Sequence, residues 1–228
     1  MHALSIQDTI VLNKSIPLPT NGIICAHPGR VERIARDFLK EATVHTNYRG
    51  YQIFTGYFED QFVFVGNTGI GAPAAAFLIE ELVAFGARKI IRLGSNDSNF
   101  TGYQLSLVSE TTLPAGLIND YNVGLKKIKV NDFMEFMITL KSIKMDLKLN
   151  ITANKHIDGY YAAFRDREGS SDMETGALYL LGLYHELQYA SILMSYPKHG
   201  DKGEYGGEKE AYELEGNAIR LALMSLKE

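Results

Sequence analysis

The sequence of 228 residues is poor in cysteine and has no strong excess of charge. Cys25 is the one cysteine, so no disulfide can form within the chain, and a reducing, cytoplasmic setting is expected. The formal net charge of -4 argues against a nucleic-acid partner. No apolar run approaches the roughly 18 residues that a membrane span requires. Residues 1–8 also lack the basic-then-apolar plan of a signal peptide.

The composition and the order of patterns predict an α/β protein with a single domain over residues 1–228. The sequence is 46% hydrophobic, which is enough for one sizeable core. Strand-like and helix-like segments alternate, and this alternation predicts a mixed central sheet flanked by helices on both faces. Pro17 and Pro19 precede the first clear strand, so residues 1–20 are expected to form an N-terminal arm.

The central stretch, residues 89–96, is typical of a short buried strand with one arginine inside it. Arg92, Gly94 and Ser95 lie where the strand should end, and ligands bind at the carboxyl ends of strands in open parallel sheets. A guanidinium, a glycine that permits close approach and a hydroxyl suit an oxyanion such as phosphate. The alternative is that Arg92 forms an ion pair across the sheet.

A second anion-binding element is predicted near the beginning of the chain. Residues 22–26 are typical of a buried strand, and His27-Pro-Gly-Arg30 indicates a turn before an amphipathic helix. Arg30 then lies near a helix N-terminus, where free N–H groups and the helix dipole favour phosphate. The alternative is a solvated residue of the first turn.

The next segments predict a hairpin over residues 51–58 and 61–66, preceded by a polar loop that carries Arg49. Gly69-Ile-Gly-Ala-Pro-Ala74 follows the hairpin and opens a helix, with Pro73 suited to the first turn. This segment fits the glycine pattern of dinucleotide binding, but the acidic residue expected about 20 positions further on is missing.

The second half of the chain predicts three helices. Asn131 is expected to cap the first, and Ser171 with Glu174 forms a capping-box pattern for a helix that runs to residue 187. A buried strand over residues 189–195 and a helix over residues 208–226 complete the predicted elements.

Several of these segments together resemble the signatures of the hexameric-type nucleoside phosphorylases, which include uridine, purine and methylthioadenosine phosphorylases. Ala26-His-Pro-Gly-Arg30 is similar to the first signature and Thr68-Gly-Ile-Gly-Ala-Pro73 to the second. Residues 80–95, which end in Ile91-Arg-Leu-Gly-Ser95, are similar to the third, and Asp172-Met-Glu174 resembles the motif of the ribose-binding helix. The motifs occur in the family order.

The resemblance implies a role for each matching residue. Phosphate would be bound by Ala26, Arg30, Arg49, Arg92 and Ser95, with Arg49 reaching the phosphate of a neighbouring subunit. A homodimer would then be the smallest active unit, and a hexamer is the larger alternative. Ribose would be held by His2, Met173 and Glu174. Arg30, Arg92 and Glu174 would carry the catalysis.

The implied reaction is phosphorolysis of a nucleoside to a free base and ribose 1-phosphate. Phosphate would be a co-substrate, and no metal or organic cofactor is expected. The transition state resembles an oxocarbenium ion, so positioning and electrostatics should dominate the catalysis.

Departures from the family pattern bear on the choice of base. Purine members carry an aspartate just after the last core strand, whereas this chain has Ser195-Tyr-Pro-Lys198, which favours a uridine-like pyrimidine nucleoside. Tyr160, Tyr161 and Phe164 are candidates to stack on the base. Residues 154–165 lack the Gln-x-Arg pair of the uridine-specific members, so a purine or methylthioadenosine phosphorylase is an alternative. Ala26, His27 and Asp97 also differ from the family residues, so a hydrolase and an inactive nucleoside-binding protein are further alternatives.

Overall fold

The computed structural model describes residues 4–96, 102–161, 169–197 and 208–227. Ten strands are described: β1 Asn21–Cys25, β2 Lys40–Tyr48, β3 Tyr51–Phe58, β4 Gln61–Asn67, β5 Lys89–Ser95, β6 Gln104–Thr112, β7 Lys127–Lys129, β8 Leu149–His156, β9 Ser170–Asp172 and β10 Gln188–Ser195. The α-helices are α1 Pro28–Phe38, α2 Ala72–Ala84, α3 Ala115–Asp120, α4 Asp132–Lys144, α5 Thr175–Tyr184 and α6 Glu208–Leu226.

All ten strands belong to one mixed sheet with the order β2-β3-β4-β1-β5-β10-β6-β8-β9, and β7 pairs with β6. The central strands β4, β1, β5 and β10 are parallel, so β1, β5 and β10 end at the same edge. The pairs β2–β3, β3–β4 and β6–β10 are antiparallel. The predicted mixed α/β class is confirmed, whereas the single-domain organisation stays a prediction.

The sheet curls so that its far end returns to its centre. In the strand order, β9 stands four positions from β5, which is about 19 Å in a flat sheet. Asn96, directly after β5, nevertheless donates a hydrogen bond of 2.7 Å to Ser170 in β9. The curl therefore brings Asp172, at the end of β9, against the residues of the central strand.

Local sequence chemistry explains several helix boundaries. Pro28 occupies the first turn of α1, so the helix begins inside the segment that was predicted to be a turn, and that prediction is wrong. The side chain of Asn131 accepts a hydrogen bond from Met134 N and caps α4, as predicted. Gly86 follows α2 with φ of 94°, a left-handed conformation that suits a helix end.

The predicted hairpin is confirmed as β3 and β4, but the sequence analysis missed β2 beside it. Most of β2 is exposed, and its polar residues give little of the apolar alternation that identifies a strand. The turn between β2 and β3 holds Arg49 in a left-handed conformation with φ of 52°. Arg49 therefore lies at the exposed tip of an antiparallel ribbon.

The described part of the N-terminal arm is anchored to α2 by a buried carboxylate. Glu81 is 2% exposed, and its two oxygens accept hydrogen bonds from the backbone N–H groups of Ile10, Val11 and Leu12 at 2.6–2.9 Å. Val11 and Leu12 are themselves buried. The arm thus packs as part of the fold. No helix among the described residues is both long and apolar enough to cross a membrane.

Candidate active site

Arg92 is the buried centre of the site. It lies in β5, between β1 and β10, with 2% of its surface exposed. Its guanidinium folds back over Gly94: a Cβ atom at Gly94 would lie 2.5 Å from Arg92 Cζ and 2.6 Å from Nη2. The glycine therefore provides the space for this arginine side chain.

Two carboxylates neutralise Arg92. Its Nη2 atom lies 2.9 Å from Asp172 Oδ2 in an ion pair and donates a hydrogen bond to Glu174. Burial alone would lower the pKa of Arg92, but the charges of Asp172 and Glu174 outweigh that effect and raise it. The ion-pair interpretation of Arg92 is thus confirmed, while Nε and Nη1 remain buried without a hydrogen-bond partner among the described residues.

Glu174 joins the arginine to the N-terminus of α2. One carboxylate oxygen accepts a hydrogen bond of 2.7 Å from Gly71 N, and the other accepts from Arg92. The capping-box interpretation of Ser171 and Glu174 is wrong, because Ser171 lies in β9 and α5 begins only at Thr175. Glu174 thus occupies the N–H group of Gly71, directly before α2, in the glycine-rich turn where the dinucleotide-binding pattern would place a phosphate.

The beginning of α5 is capped by the side chain of Asp172 rather than by that of Ser171, although Glu174 is the residue that directly precedes the helix. Its Oδ2 atom accepts hydrogen bonds from Thr175 N at 3.0 Å and Thr175 Oγ1 at 2.8 Å, where the N-terminus of α5 favours negative charge. The same oxygen is 2.9 Å from Arg92 Nη2. One carboxylate therefore fixes both the beginning of α5 and the buried arginine.

A chain of polar side chains extends from Asp172 to the end of β10. Asn154 Nδ2 donates to Asp172 at 2.6 Å, and Ser170 Oγ donates to Asn154 at 2.8 Å. Asn96 donates to Ser170 at 2.7 Å and accepts from Ser195 Oγ at 2.7 Å. The network links the ends of β5 and β10 to the carboxylate that binds Arg92.

Arg30 approaches the same edge of the sheet from the first turn of α1. Its Nη1 atom is 3.4 Å from the carbonyl oxygen of Leu93, and its Nη2 atom is 3.4 Å from Ser95 Oγ. Its Nε atom donates to Glu215 of α6, which also accepts from Arg33. Burial raises the pKa of Glu215, but the hydrogen bonds and charges of Arg30 and Arg33 together lower it. Arg30 is thus paired rather than simply solvated.

Two further titratable groups lie close enough to these arginines to feel their charge. Cys25 ends β1, and burial raises the pKa of its thiol to about 11 although Arg30 and Arg92 oppose the shift. Burial also raises the pKa of Tyr196, against the opposing effect of Arg30. Both groups therefore stay protonated near neutral pH.

Of the remaining predicted site residues, some lie next to the residues of the site and others do not. Ala26 and Met173 are half-buried, each one residue from a site group, whereas Arg49 is exposed and its guanidinium lies 5.6 Å from the Tyr48 ring centroid. The rings of Tyr160 and Tyr161 form an edge-to-face pair at 5.3 Å, and Tyr161 is 86% exposed. The roles assigned to them stay predictions. His2, Asp97 and Phe164 lie outside the described residues.

The sequence analysis assigned no function to Asp172, Glu215 or Asn96. Asp172 belongs to the Asp172-Met-Glu174 motif, and this position in the motif was the sequence feature that could have identified it. Glu215 carried no signal, because 185 residues separate it from Arg30. No group of three or more metal-binding side chains occurs among the described residues. The assembled donors are therefore guanidinium, hydroxyl and backbone groups, which bind anions.

A separate groove of about 650 Å³ lies over α2 and α5. Within it, Tyr121 donates to Glu80 at 2.6 Å and His185 Nε2 is 3.1 Å from both Glu80 oxygens. These polar groups bind one another, and the arginines of the sheet edge do not line this groove. The groove is thus distinct from the candidate active site.

Comparisons with known proteins agree with this architecture. The family described as the phosphorylase superfamily matches residues 20–95. The DeoD-type purine nucleoside phosphorylase of Lacticaseibacillus casei (strain BL23) is 28% identical over 214 residues, which cover 86% of this chain and 87% of that relative. The uridine phosphorylase of Thermococcus kodakarensis is 25% identical over 226 residues and covers 85% and 80% of the two chains.

Solved structures of two nucleoside phosphorylases have the same fold. A purine nucleoside phosphorylase of Toxoplasma gondii in complex with immucillin-H aligns with a TM-score of 0.84 at 20% identity, covering 99% of this chain and 97% of that one. A uridine phosphorylase of Vibrio fischeri ES114 aligns with a TM-score of 0.78 at 22% identity, covering 99% and 98%. These alignments confirm the fold class.

Proposed function

Because this chain belongs to the phosphorylase superfamily, we propose that it is a pentosyltransferase that cleaves a nucleoside by phosphorolysis. The products are a free base and ribose 1-phosphate. The observation that carries the proposal is the group of Arg30, Ser95 and Arg92 at the carboxyl edge of the sheet. Arg92 retains two nitrogens with no partner among the described residues, and a buried donor of this kind calls for an acceptor.

Phosphate binding follows from the donors that remain available. Nε and Nη1 of Arg92 are unpaired among the described residues, and the terminal nitrogens of Arg30 make long contacts of 3.4 Å with Leu93 O and Ser95 Oγ. A phosphate oxygen would replace these weak contacts with shorter, charge-assisted hydrogen bonds. Ser95 Oγ accepts from Arg30, so its own hydrogen can be donated to the same anion.

In this proposal, the carboxylates of Asp172 and Glu174 form the side of the site that binds the ribose. As the base leaves, positive charge develops on the sugar ring, and the nearby carboxylates of Asp172 and Glu174 stabilise that charge. Glu174 also has acceptor capacity for a ribose hydroxyl. The site then holds an anionic nucleophile beside a developing cation, and phosphate attacks the anomeric carbon as the glycosidic bond breaks.

For the base, we propose a pyrimidine such as uracil. Tyr196 follows Ser195 at the end of β10, where the resemblance to the purine enzymes implies an aspartate. Tyr196 retains its proton, so it is a neutral hydrogen-bonding group in that position. The alternative is a purine nucleoside, and it is favoured by the similarity to the purine nucleoside phosphorylase of L. casei.

A panel of uridine, thymidine, inosine, adenosine and methylthioadenosine tests both parts of the proposal. Base release is measured with and without inorganic phosphate. Phosphate-dependent release supports phosphorolysis, and the preferred substrate distinguishes pyrimidine from purine. Phosphate-independent release would support the hydrolase, and nucleoside binding without release would support the inactive binding protein.

The same assay tests the proposed assembly. Arg49 is exposed at the turn after β2, which suits a contact with the phosphate of a second copy of the chain. We propose a homodimer as the smallest active unit. Base release that stays proportional to protein concentration down to a fully monomeric sample would refute this.

A further inference from the structure

We propose that Glu215 of α6 is a positioning residue for phosphate, because it orients the guanidinium of Arg30 toward the anion. The inference rests on the proposed function, since it concerns the same phosphate. Glu215 lies near the middle of a helix that belongs to none of the sequence signatures of the site. Its role comes from the three-dimensional contact alone.

The geometry divides the Arg30 guanidinium into two edges. Nε donates to Glu215, on the side that faces α6. Nη1 and Nη2 lie 3.4 Å from Leu93 O and Ser95 Oγ, on the side that faces the end of β5. An arginine held at Nε presents its two terminal nitrogens as a fork, which matches two oxygens of a phosphate.

Glu215 is itself held in place by other groups. Its second oxygen accepts from Arg33, which lies one helical turn after Arg30 in α1. Arg33 Nη2 donates to Tyr212 O at 3.1 Å, and the Arg33 guanidinium lies 3.5 Å from the centroid of the Tyr212 ring. The carboxylate therefore acts from a fixed position, which is what preorganisation of a binding group requires.

The contact pattern distinguishes positioning from competition. A carboxylate that competed with phosphate would occupy the terminal nitrogens of Arg30, whereas Glu215 takes Nε. Its negative charge, however, opposes a nearby anion, so loss of the charge alone would strengthen phosphate binding. Loss of the orientation would weaken it. The two effects have opposite signs, and substitution of Glu215 therefore decides between them.

Glu215→Gln and Glu215→Asp both disturb the orientation of Arg30, and only the first also removes the charge. The glutamine has one acceptor oxygen for the two guanidinium groups of Arg30 and Arg33, and its NH₂ group faces one of them. The aspartate keeps the charge but lacks the reach. Calorimetric titration with inorganic phosphate measures affinity without turnover. We expect both variants to bind phosphate about tenfold more weakly, since a charge-assisted hydrogen bond is lost or misaligned. In kinetics, KM for phosphate should rise to match, with kcat and the nucleoside KM nearly unchanged.

Two control variants exclude general effects. Glu213→Gln removes the same charge from the same helix, at an exposed side chain 4.0 Å from Lys209, and should bind phosphate as the wild type does. Arg33→Met removes the group that holds the second oxygen of Glu215 but leaves the Arg30–Glu215 pair, so it should lower Tm and weaken phosphate binding less than either Glu215 variant.

Three results would overturn the inference while the proposed function stands. They are unchanged phosphate affinity in Glu215→Gln, tighter binding in that variant, and equal weakening by Arg33→Met. If the wild-type chain itself does not bind phosphate, the proposed function fails, and the inference fails with it.

Discussion

Substitution of Gly94 by alanine should disrupt the buried ion pair of Arg92. The added methyl group would lie 2.5 Å from Arg92 Cζ and closer still to Nη1, so the guanidinium has to leave its position. Gly94 has no left-handed backbone conformation that would itself penalise alanine. Reduced flexibility of the unfolded chain would in fact favour alanine by about 0.4–1 kcal/mol. A destabilisation therefore reports on the clash with Arg92.

The size of the expected destabilisation follows from the two carboxylates that lose their ion pair when Arg92 moves. Asp172 and Glu174 are 5% and 3% exposed, and without the arginine both are buried carboxylates that have lost their cation. Removal of one partner from a buried ion pair typically costs about 3–5 kcal/mol. For a chain of this size, that corresponds to a decrease in Tm of about 6–20 °C. Loss of a positioned charge at the reacting centre should also lower kcat by about 10²- to 10³-fold.

A double-mutant cycle with Arg92→Met, followed by denaturant unfolding, isolates this effect. If Gly94 matters because of Arg92, alanine at position 94 should cost little more once Arg92 is gone, so the two effects should be strongly non-additive. Gly116→Ala is the matched control, because a Cβ there meets nothing within 4 Å. Additive costs, or a loss of less than about 1 kcal/mol in Gly94→Ala alone, would refute the reasoning.

Three further predictions concern other parts of the fold. Glu81→Gln places an amide NH₂ among the backbone donors of residues 10–12. This should lower the free energy of unfolding by about 2–4 kcal/mol and expose the N-terminal arm to proteases. An unchanged midpoint of denaturant unfolding would contradict this prediction. The pKa of Glu215 lies below its ordinary value of 4.5, since Arg30 and Arg33 outweigh burial, so its ion pairs stabilise the fold above that pH and are lost as pH falls. Lowering the pH below 4.5 should therefore reduce the free energy of unfolding of the wild type more than that of Glu215→Gln. Parallel pH dependence of the two unfolding free energies would contradict this prediction. Arg49→Ala should raise KM for phosphate without changing Tm. If Arg49 acts across subunits, mixing this variant with inactive Arg92→Met subunits should restore activity. If activity is not restored, the effect of Arg49 lies within one chain.

Local sequence chemistry predicted the elements whose signals are strong and short in range. The strand predicted within residues 89–96 was identified from its short apolar run, and the helix over residues 208–226 was identified after a polar, glycine-rich stretch. The asparagine cap of α4 followed in the same way. In these elements local preference and tertiary environment agree, so the sequence alone suffices.

The beginning of α5 shows why other predictions failed. Ser171 and Glu174 have the spacing of a capping box, but Ser171 pairs with Lys155 in the short parallel ladder of β8 and β9. Pairing in the sheet takes precedence over the local cap, and Asp172 supplies the cap instead. Three residues of strand give too little periodicity to be recognised from the sequence, so the competing interaction was not visible.

The candidate site was predictable in its arginines but not in their partners. Arg30, Arg92 and Ser95 stand in recognisable local patterns at strand ends and helix starts. The carboxylates that pair with these arginines reach them through the curl of the sheet and the docking of α6. Glu174 is 82 positions from Arg92 in the sequence, and Glu215 is 185 positions from Arg30. Such distant contacts leave no periodic signal in the sequence, so only the fold reveals them.

The most direct test of the central claim is to identify the sugar product by phosphorus NMR, with the preferred nucleoside and inorganic phosphate as substrates. Phosphorolysis predicts ribose 1-phosphate in an amount equal to the free base released, and it predicts that Arg92→Met abolishes both. Free base accompanied by unphosphorylated ribose, with no decrease in inorganic phosphate, would contradict the account.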